Sequence, residues 1–91
     1  MHVVCFKFGD EDDIGRVAEM LEGLPPKVPV IRRLEVGRDV VRSARSYDLA
    51  LTVEVDSLDD LDAYRQHPDH VAVGKVIADL TTHVSVVDYE R

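Results

Sequence analysis

The sequence of 91 residues contains no tryptophan, a single cysteine and no long apolar run. One cysteine, Cys5, excludes a disulfide within the chain, and no cysteine–histidine spacing indicates a structural zinc site. No window approaches the roughly 18 apolar residues that a membrane-spanning helix requires, so no membrane partner is expected. The first residues have neither a basic leader nor a long apolar stretch. This argues against a signal peptide and makes a cytoplasmic location the default expectation.

Basic residues are also scarce. Eleven lysines and arginines stand against 18 aspartates and glutamates, for a formal net charge of −7. Nucleic-acid binding needs a basic surface that neutralises phosphates, so no nucleic-acid partner is expected. The hydrophobic fraction of 45% is typical of a folded protein rather than a disordered one. The length predicts one domain, residues 1–91.

Apolar periodicity predicts the order βαββαβ. Alternating patterns place strands at 2–8, 30–38, 47–55 and 84–89. A helical pattern between the first two strands ends at Gly23, and a second helical region after Ser57 is broken at Pro68. This order is the split βαβ arrangement of the α+β ferredoxin-like class, a four-stranded antiparallel sheet with helices on one face.

The other face of the predicted sheet is too apolar to remain in water. It would carry Val3, Cys5, Val87 and Tyr89. Large exposed apolar patches on soluble proteins usually mark an interaction surface. A second copy of the chain is the simplest cover, and we expect a homodimer.

Several segments, taken in order, resemble the stress-responsive dimeric α/β-barrel (Dabb) family. These are "HVVCFKF", "VGRDV", "RSYDLAL", "VDSLDDLDAY", "HPDHVAV" and "VSVVDYE", and together they span nearly the whole chain. The resemblance implies that two ferredoxin-like subunits pack their sheets face to face as a homodimeric α/β barrel. It agrees with the dimer inferred from the two-faced strands.

The resemblance also implies a candidate site. One plant member of the family, olivetolic acid cyclase, closes a linear polyketide by an aldol condensation without a cofactor, and its motif is Tyr-x-x-His-Pro-x-His. The catalytic tyrosine and last histidine of that motif fall here at Tyr64 and His70, and a pocket histidine falls at His2. A further pocket histidine falls at Leu49, and the large aromatic residues of the first helix are absent here. These departures imply a different substrate.

The helical spacing within the stretch "YRQHPDH", residues 64–70, is compatible with this chemistry. Helical spacing puts His70 on the inward face of Val73 and Ile77, and Tyr64 on the inward face of Leu58 and Leu61. A neutral histidine can remove a C–H proton while a tyrosine hydroxyl stabilises the resulting oxyanion. The plainer interpretation is that buried Tyr and His only bond to the backbone and serve the fold.

Three functions follow from these interpretations. The favoured hypothesis is binding of a small hydrophobic, oxygenated metabolite in a pocket between the sheet and the helices. Cofactor-free aldol cyclase or isomerase chemistry, with His70 as base and Tyr64 as donor, is an extension of this hypothesis. The predicted substrate-binding residues are His2, Val4, Phe6, Leu49 and Leu51. The alternatives are a non-catalytic structural or stress-response dimer and, by fold analogy alone, a cofactor-free or haem-linked monooxygenase. No cofactor is predicted for the favoured hypothesis.

A metal site in the same stretch is not predicted. His67 and His70 stand at an i, i+3 spacing, but Pro68 interrupts the helix on which they would share a face. His67 is better placed to cap the corner, and His83 is predicted near the end of the last helix.

Five of the eleven basic residues fall within fourteen positions. They are Arg32, Arg33, Arg38, Arg42 and Arg45. This cluster is interpreted either as a solvated loop that balances the acidic surface or as a basic rim that attracts an anionic ligand to the pocket.

Overall fold

The computed structural model describes all residues 1–91 and confirms the ferredoxin-like prediction. The elements are β1 His2–Phe8, α1 Asp12–Glu22, β2 Arg33–Arg38, β3 Leu49–Glu54, α2 Leu58–Gln66, α3 Pro68–Leu80 and β4 Thr81–Asp88. The four strands form one antiparallel sheet in the order β2-β3-β1-β4. The first and last strands of the chain are therefore neighbours, which brings the start of β1 beside the end of β4.

Helix α1 buries the stripe predicted from its apolar spacing. Ile14, Val17, Ala18 and Leu21 face the sheet. Carboxylates occupy the first turn, where they favour the positive end of the helix dipole. Gly23 follows the last turn, and its N–H donates to the carbonyl of Glu19.

The corner between α2 and α3 is built by its polar residues. Ser57 caps α2 by accepting from the N–H of Asp60 at 3.1 Å. His67 has the extended conformation typical of a residue before proline, with φ −60° and ψ 134°. Its Nδ1 accepts from the N–H of Asp69 at 3.1 Å. Pro68 takes the first position of α3, where a missing N–H is harmless. The predicted break and the capping role of His67 are both confirmed.

The core lies between the helices and one face of the sheet. Alternation along β1 directs Val4 and Phe6 into it, beside Leu49 and Leu51 of the neighbouring β3. The core cluster contains 14 buried residues, and Tyr64 is among its largest fully buried side chains. The helices and the sheet thus share one apolar core, and Tyr64 is part of it.

Several predicted boundaries and orientations were wrong. The second strand begins at Arg33 rather than at position 30, because residues 24–31 form hydrogen-bonded turns around the fully buried Val28. The last strand begins earlier, at Thr81, because Thr81 and its neighbours pair with the end of β1. His83 consequently lies in β4, not at a helix end. Leu58 is 68% exposed instead of packed inward, since it begins α2 at the edge of the fold.

The opposite face of the sheet carries the apolar side chains that the alternation predicted. Val3 and Cys5 point away from the core, and Val87 lies opposite Val3 in the strand register. Val87 is 60% exposed and Tyr89 is 48% exposed in the single chain. The face therefore keeps the character of an uncovered interaction surface. No helix of the chain has the length and hydropathy needed to cross a membrane.

Candidate functional site

Three polar rings from three elements meet beneath the sheet. Tyr64 of α2 is completely buried. Its ring centroid lies 5.9 Å from that of His2 in β1, in an edge-on arrangement, and 4.4 Å from that of His70 in α3. The structure thus brings together the three polar residues singled out from the sequence. The break at Pro68 separates α2, which carries Tyr64, from α3, which carries His70.

The hydroxyl of Tyr64 has no hydrogen-bond partner in the chain. Buried polar groups are nearly always paired, and an unpaired one needs an explanation such as a bound molecule. Burial raises the pKa of Tyr64 to about 12. The phenol therefore remains protonated at neutral pH, ready to donate a hydrogen bond to an oxygen of a ligand.

His70 is oriented as a base. Its Nδ1 lies 3.1 Å from the carbonyl oxygen of Arg65 in the last turn of α2. Since a carbonyl only accepts, Nδ1 carries the proton, and the lone pair of the neutral ring is on Nε2. Burial lowers the pKa of His70, and the nearby His2 adds to this effect. The neutral, proton-accepting form is favoured at physiological pH.

His2 belongs to a second hydrogen-bonded pair. Its Nδ1 lies 2.5 Å from a carboxylate oxygen of Asp88. The strand register explains the contact, because His2 and Asp88 face each other across β1 and β4. A carboxylate at this position fixes the orientation of an imidazole ring. Sequence analysis missed Asp88, since the pair is separated by 86 positions and becomes visible only when the first and last strands are paired.

A groove of about 780 Å³ opens beside His2. Leu61 and Asp88 line it together with the segment that joins β3 to α2. His2 lines the groove and its ring stands edge-on to that of Tyr64, whereas Tyr64 and His70 do not line the groove. Most of the groove's polar lining is acidic: Glu54, Asp56, Asp59, Asp88 and Glu90.

Only His2 of the five predicted substrate-binding residues lines this groove. Val4, Phe6, Leu49 and Leu51 are packed in the core of the single chain, each no more than 6% exposed. Their contact with a ligand remains a prediction. No group of three or more histidine, cysteine, aspartate or glutamate side chains is arranged to hold a metal ion, and the Nδ1 of His67 is occupied by the backbone.

The five clustered arginines do not form one rim. Arg42 lies in the loop between β2 and β3, where it pairs with Asp39, Asp48 and Glu11. Asp48 also accepts from the N–H of Phe8, which places this network at the far end of β1 from His2. Near the groove, Arg32 is engaged with Asp56. The interpretation of the clustered arginines as one basic rim around the pocket is therefore wrong.

A family model described as the Stress responsive A/B Barrel Domain matches residues 1–91. The stress-response A/B barrel domain-containing protein DABB1 of Arabidopsis thaliana is 32% identical over 94 residues, covering 97% of this chain and 45% of that protein. The chain thus spans about half the length of this relative. With a ferredoxin-like fold and a whole-length match, the chain belongs to the stress-responsive A/B barrel domain family.

Solved structures with the same fold include dimers and an enzyme. A dimeric ferredoxin-like protein of unknown function from Bacteroides fragilis is 37% identical, with a TM-score of 0.88 over 99% of this chain and 93% of that one. A hydroxynitrile lyase from Passiflora edulis has a TM-score of 0.85 over 97% of this chain and 88% of that one. At 16% identity, the second comparison establishes a shared fold alone.

Proposed function

We propose that the chain binds a small, hydrophobic, oxygenated metabolite and catalyses cofactor-free proton transfer on it. The observation that carries this proposal is the unpartnered hydroxyl of Tyr64, buried beside two imidazoles. An apolar surround with few convergent polar groups is typical of small-molecule sites. A ligand carbonyl or hydroxyl oxygen is the partner that this hydroxyl lacks.

The proposed chemistry uses the tautomer of His70 with its proton on Nδ1, which the hydrogen bond to the carbonyl of Arg65 selects. The Nε2 of His70 removes a proton from the carbon next to a ligand carbonyl, and the hydroxyl of Tyr64 donates to the carbonyl oxygen as negative charge develops there. Return of the proton to another carbon isomerises the ligand. Attack of the enolate carbon on a second carbonyl of the same ligand forms the ring bond of an aldol cyclisation, and the resulting alkoxide takes the proton back from His70. His2, held by Asp88, is a second proton carrier.

The resemblance to the plant cyclase supports this proposal, because the catalytic tyrosine and histidine of its motif correspond to Tyr64 and His70. The hydroxynitrile lyase from Passiflora edulis is an enzyme with this fold. A competing proposal, a structural dimer without a ligand, is favoured by one observation: Val4, Phe6, Leu49 and Leu51 fill the core where the pocket was predicted.

Deuterium exchange tests the two proposals. A panel of aromatic and polyketide-like ketones is incubated with the protein in D₂O, and loss of the α-proton signals is followed by NMR. The wild type is expected to accelerate exchange of at least one ketone, and His70→Gln is expected to abolish this acceleration. His83→Gln, on an exposed part of β4, is the matched control.

The outcomes separate the alternatives. Ligand-dependent shifts of the His70 resonances without exchange would mean binding without catalysis. Absence of both shifts and exchange across the panel would favour the structural dimer.

We also propose that the chain is a homodimer through the open face of its sheet. The exposed apolar side chains of Val87 and Tyr89 support this. The similar protein from Bacteroides fragilis is itself described as dimeric. Two sheets packed face to face would remove these side chains from water.

A further inference from the structure

The groove beside His2 adjoins the buried rings through His2 itself, whose ring centroid lies 5.9 Å from that of Tyr64. His2 is only 8% exposed, yet it lines the groove and touches the ring of Tyr64. Leu61 also lines the groove and lies one turn before Tyr64 on α2. A ligand bound at the hydroxyl of Tyr64 would therefore lie close to the charges around the mouth of the groove, because His2 contacts both Tyr64 and Asp88.

The charges around that mouth are unbalanced. Arg91 pairs with Glu54, and Arg32 pairs with Asp56. Asp59 and Glu90 have no salt-bridge partner in the chain. Asp88 is held by His2, which is charged only when protonated. The mouth thus has excess negative charge.

One further cation lines the groove, the N-terminal ammonium of Met1, which donates to the carbonyl of Tyr89. Arg42 is engaged in its own network of carboxylates at the far end of β1. Clefts lined by one sign of charge repel ligands of the same sign and concentrate those of the opposite sign. The walls between the carboxylates include the apolar side chains of Val55, Leu58 and Leu61. These side chains can pack against the apolar part of a ligand.

We propose that this site selects uncharged or cationic carbonyl compounds and discriminates against carboxylates and phosphate-bearing compounds. The inference rests on the proposed function and names the class of substrate for the same site. One to two uncompensated charges at about 8 Å, screened by water, weaken binding of a singly charged anion by about twofold to sixfold at low ionic strength. Salt shortens the screening length to about 3 Å at 1 M, so the discrimination is expected to fade as salt is added.

A matched ligand series tests the inference on the full chain. Acetophenone, 4-acetylbenzoate and a 4-acetylphenyl-trimethylammonium salt share one apolar ketone and differ in charge. Their binding is measured by NMR from shifts of the His2, Tyr64 and His70 resonances, at low salt and at high salt. The neutral and cationic ketones are expected to bind severalfold more tightly than the carboxylate at low salt, and the difference is expected to shrink at high salt.

Variants assign the effect to the groove. The double substitution Asp59→Asn with Glu90→Gln should reduce the discrimination against the carboxylate severalfold. Asp62→Asn is the control, since Asp62 lies on the same helix outside the groove and bonds to Gln66. Equal or tighter binding of the carboxylate by the wild type would overturn the inference while leaving the proposed function intact. Failure of all three ketones to shift the three resonances would overturn both.

Discussion

The rings of Tyr64 and His70 lie 4.4 Å apart, centroid to centroid, with their planes inclined at 50°. One ring carries a buried hydroxyl without a partner, and the other directs its proton to the carbonyl of Arg65. A contact made only for packing would be satisfied by two apolar rings. The two polar groups therefore support the proposed ligand site rather than a role in packing alone.

Replacing Tyr64 by phenylalanine should separate stability from function. Tyr64→Phe keeps the ring and removes the unpaired hydroxyl, whose burial costs about 1–3 kcal/mol. We expect an unchanged or higher melting temperature, together with at least about tenfold weaker ketone binding, measured by thermal denaturation and NMR titration. Tyr47→Phe is the matched control, because that hydroxyl is bonded to Ser85 away from the site. A clear loss of stability in Tyr64→Phe would mean that the hydroxyl has a structural partner.

The titration of His70 should make the fold less stable in mild acid. Burial and the nearby His2, Arg65 and His67 lower the pKa of His70 below its ordinary value of 6.5. The unfolded chain therefore binds more protons than the folded chain as the pH falls through 6.5 toward the folded pKa. The contribution of His70 to the free energy of unfolding should decrease over that interval and then level off.

Denaturant unfolding at a series of pH values measures this dependence. His70→Gln should flatten it, whereas His83→Gln should leave it in place. An NMR midpoint for His70 at or above 6.5 would contradict the prediction.

Loss of the carboxylate at Asp88 should disturb His2 rather than the fold. Asp88→Asn keeps the shape of the side chain but removes the charge that holds Nδ1–H of His2. We expect nitrogen chemical shifts that report a changed tautomer population of His2, and proton exchange on the ketone slowed by about 10–100-fold. Asp62→Asn should alter neither quantity. An unchanged His2 spectrum in Asp88→Asn would rule out a positioning role.

Charge placed on the open face should separate the two subunits. Val87→Asp introduces a carboxylate where the sheets would pack, and burying an unpaired charge is strongly unfavourable. Sedimentation analysis should find a dimer for the wild type and a monomer for this variant. Val40→Asp is the control, since Val40 lies in the β2–β3 loop and is 88% exposed. A dimer that survives Val87→Asp would place the interface elsewhere.

Much of the fold could be predicted because the local sequence patterns match the elements that form. The spacing of apolar residues in α1, the cap at Ser57 and the break at Pro68 all depend on residues within one or two turns of each other. The boundaries that failed depend on distant contacts. His83 comes so soon after the helical pattern of α3 that it was predicted near the end of that helix. In the structure His83 pairs with Lys7 of β1 and is part of β4.

The sequence by itself determined the βαββαβ order, the proline-broken corner and the inward direction of Tyr64 and His70, because periodicity and capping are local properties of the chain. The tertiary structure alone decided that His2 faces Asp88, that the hydroxyl of Tyr64 lacks a partner and that carboxylates from β3, α2 and the residues after β4 line one groove. Each of these facts depends on pairing the first and last strands and on packing two helices across them. Such contacts join residues up to 86 positions apart, and no pattern of neighbouring residues encodes their distances.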